Sequence, residues 1–243
     1  MTCVIIVQAR MTSTRLPGKV LMPVLGQSLL AYEIERLRRC QLADSLMVAT
    51  TTNATDDPIV ALCETLAVPV FRGSESDVLS RYYGAAQQAN AQTVVRVTAD
   101  CPLIDPSVID RIINHFQTAK EALDYASNTL ARTFPRGLDA EVFSLSALAI
   151  AHREATEATH REHVTPFFYQ QPNRFKLASI EAPETLSQHR WTVDTPEDFK
   201  LIQCILEALY PRNPHFTTQD VLAVLAKNKD WVQLNAHIEQ IKV

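Results

Sequence analysis

A chain of 243 residues, 47% hydrophobic and 21% charged, is long and apolar enough for one large folded unit and lies outside the composition of disordered chains. Its formal net charge of −4 excludes the globally basic surface of a general nucleic-acid binder, and no run of about 18 apolar residues is present to cross a membrane. Five cysteines without a CxxC pair fit a reducing compartment, and the first apolar run has neither the length nor the basic leader of a secretory signal, so a cytoplasmic location is expected.

Residues 4–7 predict a buried strand. It opens into Gln8-Ala-Arg10-Met-Thr-Ser13-Thr-Arg15-Leu-Pro-Gly18-Lys19. Cations in the loop after a first strand are how α/β proteins present positive charge to a polyphosphate; a solvated basic loop is the alternative on these residues alone. The single glycine makes the loop neither G-x-x-x-x-G-K-S/T nor G-x-G-x-x-G, which excludes a P-loop and argues against a dinucleotide turn.

Further on, residues 29–40 predict a helix and 46–51 a strand, followed by a helix over 58–67 capped by Asp56 or Asp57. A short strand over 68–71, a helix over 78–90, a strand over 93–98 and a helix over 107–116 led by Asp105-Pro106 continue the alternation. Such a rhythm predicts a mostly parallel sheet covered by helices on both faces, with ligands beyond the carboxyl ends of the strands.

After about residue 120 the rhythm changes. Strands are expected at 125–128, 140–143 and 175–180 and helices at 145–154 and 162–170, together an added antiparallel lobe over the site. A strand over 191–193 then ends in Asp194-Thr-Pro-Glu-Asp198, which opens a helix over 196–209; helical pieces from 217 to 227 and onward close the chain. No repeat or linker divides it, so residues 1–243 are read as one unit: 1–120, 121–190 and 191–243.

Several residues stand where chemistry is done. Asp100 follows a strand's carboxyl end before the Pro-stiffened turn Cys101-Pro-Leu, a place for a carboxylate that holds a divalent ion or, equally, for a turn aspartate. Asp194 reads on sequence as a helix N-cap. Cys101 draws notice only through its neighbours, since free cysteine is usually a small core residue. His160 and His163 lack the third ligand of a zinc site at a suitable spacing.

The loop from Arg10 to Lys19 resembles that of the cytidylyltransferases that activate sugar acids, the CMP-Kdo synthetases among them, and is most similar to the spore coat polysaccharide biosynthesis F-type branch. Further segments carry the resemblance along nearly the whole chain: Phe71-Arg-Gly-Ser74-Glu-Ser-Asp-Val-Leu-Ser-Arg81-Tyr, Arg96-Val-Thr-Ala-Asp100-Cys-Pro-Leu-Ile-Asp, Pro135-Arg136-Gly-Leu-Asp139-Ala-Glu141, His160-Arg-Glu-His163-Val-Thr and Arg190-Trp-Thr-Val-Asp194-Thr-Pro-Glu-Asp198. It implies the nucleotide-diphospho-sugar transferase fold, a three-layer α/β sandwich with a mostly parallel central sheet and a small antiparallel added lobe.

The resemblance also implies the roles. Arg10, Arg15 and Lys19 would hold the triphosphate of CTP; Asp100, with Asp194 as second ligand, would hold Mg2+; Ala9, Ser13, Ser74 and Arg81 would lie against the nucleotide. The sugar acid would meet Arg136, Asp139, Glu141, His163 and Arg190, in the 121–190 region through which two copies would pair as a homodimer. Ala99 departs from the glycine usual in these relatives before the metal aspartate. A nucleotidyltransferase acting on a sugar phosphate or other small alcohol, and a non-catalytic nucleotide-binding homologue, are the competing readings; glycosyl transfer is disfavoured because no D-x-D follows the fourth strand.

Overall fold

The protein is described by a computed structural model over residues 2–239, so residue 1 and residues 240–243 of the expected unit lie outside the described residues. A seven-stranded sheet runs in the order β5-β4-β1-β6-β8-β7-β9. Its strands are β1 (Cys3–Gln8), β4 (Ser45–Thr51), β5 (Val70–Gly73), β6 (Thr93–Thr98), β7 (Tyr125–Ser127), β8 (Glu141–Ser144) and β9 (Leu177–Ser179). β5, β4, β1 and β6 are mutually parallel; β8 runs antiparallel to β6 and to β7, and β9 pairs parallel with β7. The expected mostly parallel sheet is therefore present, and its antiparallel part extends the same sheet, beside a separate two-stranded piece, β2 (Pro23–Val24) with β3 (Gln27–Ser28).

Alternation within β1 shows why the sheet is covered on both sides. Cys3, Ile5 and Val7 pack into one core cluster and Val4 and Ile6 into the other, all at most 1% exposed. Helices α1 (Leu29–Leu37), α2 (Asp57–Thr65), α4 (Pro106–Thr118), α8 (Pro196–Leu209) and α9 (Thr218–Lys227) contribute to the first cluster. α3 (Val78–Gln88), α5 (Leu145–Glu154) and α7 (Pro166–Tyr169) contribute to the second, which completes three layers. α6 (Ala158–His163) and α10 (Lys229–Gln233) complete the list of α-helices among the described residues.

Local chemistry fixes the helix starts. Ser28 accepts from Ala31 N at 3.3 Å, Asp77 from Ser80 N at 2.9 Å and Asp105 from Ser107 N at 3.0 Å, while Thr195 and Asp198 form a capping box at α8. Two sequence expectations fail here. Residues 162–170 are not one helix, because Val164 takes a φ of 69° and Pro166 lacks the N–H to continue the turn, so α6 and α7 are separate. Nor is 191–193 a strand. Apart from one bridge between Arg136 and Arg190, its backbone bonds go to turns, with Val193 N donating to Asp100 O at 2.8 Å.

Strand order also places the site. From β1 the chain steps outward to β4 and β5, then returns to the opposite side of β1 as β6, so the direction of winding reverses between β1 and β6. A crevice opens at such a reversal beyond the strands' carboxyl ends, here after Gln8 and Thr98.

Candidate active site

The loop leaving β1 is folded back on itself. Gly18 sits at φ 71° and donates its N–H to Met11 O at 2.9 Å, a left-handed position that glycine takes without steric cost. The single 3-10 turn Lys19–Leu21 follows, and burial of Val20 in the core draws Lys19 inward to 8% exposure. From outside, Glu75 accepts from Thr12 Oγ1 and from Asn53 Nδ2 at 2.6 Å, with Arg10 at 3.9 Å.

Asp56 anchors the same loop. It occupies the position before α2 but makes no side-chain cap; its carboxylate instead accepts from Met11 N at 2.8 Å, Thr50 Oγ1 at 3.0 Å and Thr51 N at 3.2 Å. Burial pushes its pKa up, but the bonds from Thr51, Met11 and Thr50 outweigh that and hold it below the ordinary carboxylate value. A depressed folded pKa means stability that is fully present above the unfolded pKa, near 4, and is lost as pH falls through the folded value. We therefore expect Asp56→Asn to cost about 2–3 kcal/mol in urea unfolding at pH 7. That gap should narrow at pH 3; an equal gap at both pH values would contradict a charged Asp56.

At the crevice the two distant aspartates meet on Lys19. Its Nζ donates to Asp100 Oδ2 at 2.8 Å, to Asp194 Oδ1 at 2.8 Å and to Val193 O at 2.7 Å. Burial alone would push the Lys19 ammonium down, but the charges of Asp100 and Asp194 hold it above its ordinary value. Asp100 is likewise pushed up by burial and, with the opposite result, pulled below the carboxylate range by Lys19, Thr98 and Cys101. Thr98 Oγ1 donates to Asp100 Oδ1 at 2.7 Å and Cys101 Sγ donates to it at 3.5 Å.

Cys101 is thus a donor to Asp100. Burial raises its thiol pKa well above the ordinary value, which argues against a thiolate nucleophile, and all five cysteines are free. Ala99 avoids the positive-φ region, so the departure from glycine carries no backbone strain. Below the turn, fully buried Glu33 accepts from Cys101 N at 3.1 Å; burial and then Asp100 push its pKa well up.

Asp194 is not the N-cap its sequence position proposes. Thr195 caps α8, and Asp194, 7% exposed, turns to Lys19, to Arg15 Nη2 at 2.9 Å and, through its other oxygen, to Arg190 Nη2 at 2.8 Å. Arg190 also donates through Nε to Asp198 Oδ1 at 2.9 Å, and fully buried Asp198 accepts from Asn235 Nδ2 at 2.8 Å. Sequence reasoning missed Asp198 and Asn235 as supports. Arg190 lines neither crevice cavity and reaches the site through Asp194.

Two adjoining cavities share this centre. One of about 210 Å³ is lined by Arg10, Ser13, Arg15, Lys19, Asp100 and Asp194, among others. The second, about 410 Å³, runs from Arg10, Arg15, Asp100 and Asp194 to Arg136, Asp139, Glu141 and His163. Asp139 is held by both terminal nitrogens of Arg132 at 2.6 and 2.9 Å, while Glu141 pairs with Arg96 and accepts from Tyr125 OH at 2.6 Å. Burial and then the neighbouring Arg132 push Arg136 below its ordinary value, and no carboxylate lies within ion-pair distance of it among the described residues.

The remaining expected residues stand apart. Ala9 is buried beside β4, its N–H on Ala49 O at 3.2 Å. Exposed Ser74 holds the turn before α3 through Asp77 N at 3.1 Å, and Arg81, 1% exposed, reaches Ser74 O at 2.6 Å; neither lines the two cavities. His160 is buried against Phe167 and bonds Gln170 Oε1 at 2.9 Å. No group of three or more His, Cys, Asp or Glu side chains able to hold a metal occurs among the described residues.

The chain matches the family model described as cytidylyltransferase over residues 4–240. It is 34% identical over 233 residues to the spore coat polysaccharide biosynthesis protein SpsF of Bacillus subtilis, covering 93% of this chain and 94% of that one. It is 30% identical over 241 residues to a 3-deoxy-manno-octulosonate cytidylyltransferase of Anaeromyxobacter, covering 84% and 96%. The solved structure of a cytidylyltransferase from Leptospira borgpetersenii superposes with a TM-score of 0.92 at 32% identity over 100% of both chains.

Proposed function

We propose, from the premise that this chain belongs to the cytidylyltransferase family, that it joins the CMP moiety of CTP to a hydroxyl of a sugar acid and releases pyrophosphate. As a member of that family it is a nucleotidyltransferase. The observation that carries the finer reading is the convergence of Asp100, Asp194 and Lys19 beside Arg10 and Arg15 at the mouth of a larger polar cavity.

In the reaction, an acceptor oxygen attacks the α-phosphorus as the bond to the β-phosphate's bridging oxygen breaks. Positioning and cancellation of negative charge supply the rate, so no protein nucleophile is needed. Arg10, Arg15 and Lys19 hold the triphosphate and the departing pyrophosphate. Asp100 and Asp194 suit magnesium: two carboxylates 94 positions apart in the chain already converge on one cation, the Lys19 ammonium, and offer it the oxygen ligands magnesium prefers. When bound, that ion would neutralise phosphate charge next to the attacked phosphorus. Ser13, in the smaller cavity, and Ala9, Ser74 and Arg81, outside both cavities, are proposed to bound the nucleotide, backbone groups among them.

For the acceptor, Arg136 lines the large cavity with no carboxylate within ion-pair distance of it among the described residues, which favours a carboxylated sugar. Burial holds His163 below its ordinary pKa, so its neutral ring offers an acceptor to a sugar hydroxyl, while Asp139 and Glu141 present oxygens fixed by Arg132 and Arg96. The relatives named above act in spore coat polysaccharide biosynthesis and on 3-deoxy-manno-octulosonate, which supports a sugar acid of surface polysaccharides. Homodimer pairing through residues 121–190 belongs to the same proposal and is carried by the resemblance.

Pyrophosphate release, measured with each of four nucleoside triphosphates across a panel of sugar acids and sugar phosphates with and without Mg2+, tests the reading. Release is expected with CTP, a sugar acid and Mg2+ together; release with sugar phosphates alone would replace it with the sugar-phosphate alternative. In the same assay Arg136→Met should raise the acceptor KM about 10–100-fold, the loss of one charged hydrogen bond, with the CTP KM little changed. An equal rise in both would place Arg136 on the nucleotide instead.

A further inference from the structure

All three N–H donors of the Lys19 ammonium are engaged: Asp100 Oδ2, Asp194 Oδ1 and Val193 O, each at 2.7–2.8 Å. The side chain that should hold phosphate therefore bridges the two carboxylates that should hold the divalent ion. One ammonium cannot do both. We propose that Lys19 acts as a placeholder for the cation, and that nucleotide phosphates, by drawing it off the carboxylates, make room for the metal. This inference rests on the cytidylyl-transfer reading.

Charge explains the coupling. Among the described residues Arg15, Lys19 and Arg190 are paired with Asp100, Asp194 and Asp198, so cations of the protein already offset the carboxylates that a dication would need. A metal ion entering alone displaces a buried ammonium that has no other carboxylate within ion-pair distance among the described residues. Entering with a triphosphate, it leaves that ammonium with phosphate oxygens to bond. Metal and nucleotide therefore favour each other's binding, and by linkage the effect is reciprocal. The bond from Arg15 to the same Asp194 oxygen adds to the exclusion, since a half-exposed guanidinium can follow the phosphates as Lys19 does.

Mn2+ titrations followed by the free-ion electron paramagnetic resonance signal test this without turnover. Wild type, Lys19→Met and Lys19→Gln are compared, with and without α,β-methylene CTP, after folding of each variant is checked by circular dichroism. Mn2+ alone should bind wild type at least tenfold more weakly than either variant, and the analogue should raise wild-type affinity at least tenfold, beyond its own affinity for the ion. Should one variant not fold, the other still supplies the comparison with wild type. Binding of Mn2+ alone to wild type that the analogue leaves unchanged would overturn the placeholder role while sparing the metal site. Mn2+ binding to no protein, even with the analogue, would remove the metal assignment and this inference with it.

Discussion

Asp100→Ala is expected to lower turnover by about two to three decades, the scale of losing one preorganised charge-stabilising group. Asp100 ends the turn after β6, where Thr98 and Cys101 fix one oxygen and Lys19 the other. Removing it takes away half of the proposed metal site and one of the two carboxylates on Lys19. The fold should persist, because the variant leaves the neighbouring backbone bonds untouched: Val193 N still has Asp100 O and Cys101 N still has Glu33. Steady-state pyrophosphate release and a thermal melt, taken together, check this. Near-normal turnover in a folded variant would count against the site.

Gly137→Ala should act through the backbone. Gly137 has φ +100°, and a Cβ there would lie 2.6 to 2.8 Å from Trp191 C, Thr192 N and Trp191 O. No flexible side chain can yield; the 190–194 segment must move. That segment is tied to 135–137 by Trp191 N to Arg136 O at 2.7 Å and Arg136 N to His189 O at 3.1 Å, and it carries Asp194. A loss of about 3–5 kcal/mol in urea unfolding is expected, combining backbone strain with disturbed core packing around buried Trp191. A change under about 1 kcal/mol would show that the segment adapts more readily than its packing implies.

Much of the architecture was legible because burial on both faces leaves a mark. β1 reads as a continuous apolar run, as a parallel strand between helical layers must, and β6 keeps β-branched residues on both faces with Arg96 as its one charge. Lys19 and Asp100 were legible for a related reason: Asp100 follows closely after the end of β6 and Lys19 belongs to the loop that leaves β1, where an α/β sheet puts ligands. On its local sequence alone Asp194 reads as a helix cap, since Asp-Thr-Pro resembles a helix start whichever residue caps it; its expectation as a second metal ligand came from the family resemblance. Its true capping neighbour, Thr195, has the same signature.

Other residues were hidden by distance or by geometry. Asp198 reads as the third residue of a capping box, and nothing local says that it also meets Asn235, which lies 37 residues on. Glu33 did leave a signal: it shares the face of α1 that carries Leu29 and Leu37, four residues either side, where a carboxyl is out of place. Arg96 did too, as the charged residue within β6, paired with Glu141 across the sheet. The positive φ of Val164 had no such mark, since tertiary packing imposes it.

Crystals grown with α,β-methylene CTP and Mn2+ offer the most direct test that two distant carboxylates and three loop cations enclose one triphosphate. An anomalous difference map should show manganese within ligand distance of both Asp100 and Asp194, with Lys19 moved onto phosphate oxygens beside Arg10 and Arg15. Manganese bound elsewhere, or nucleotide seated away from these five side chains, would contradict it.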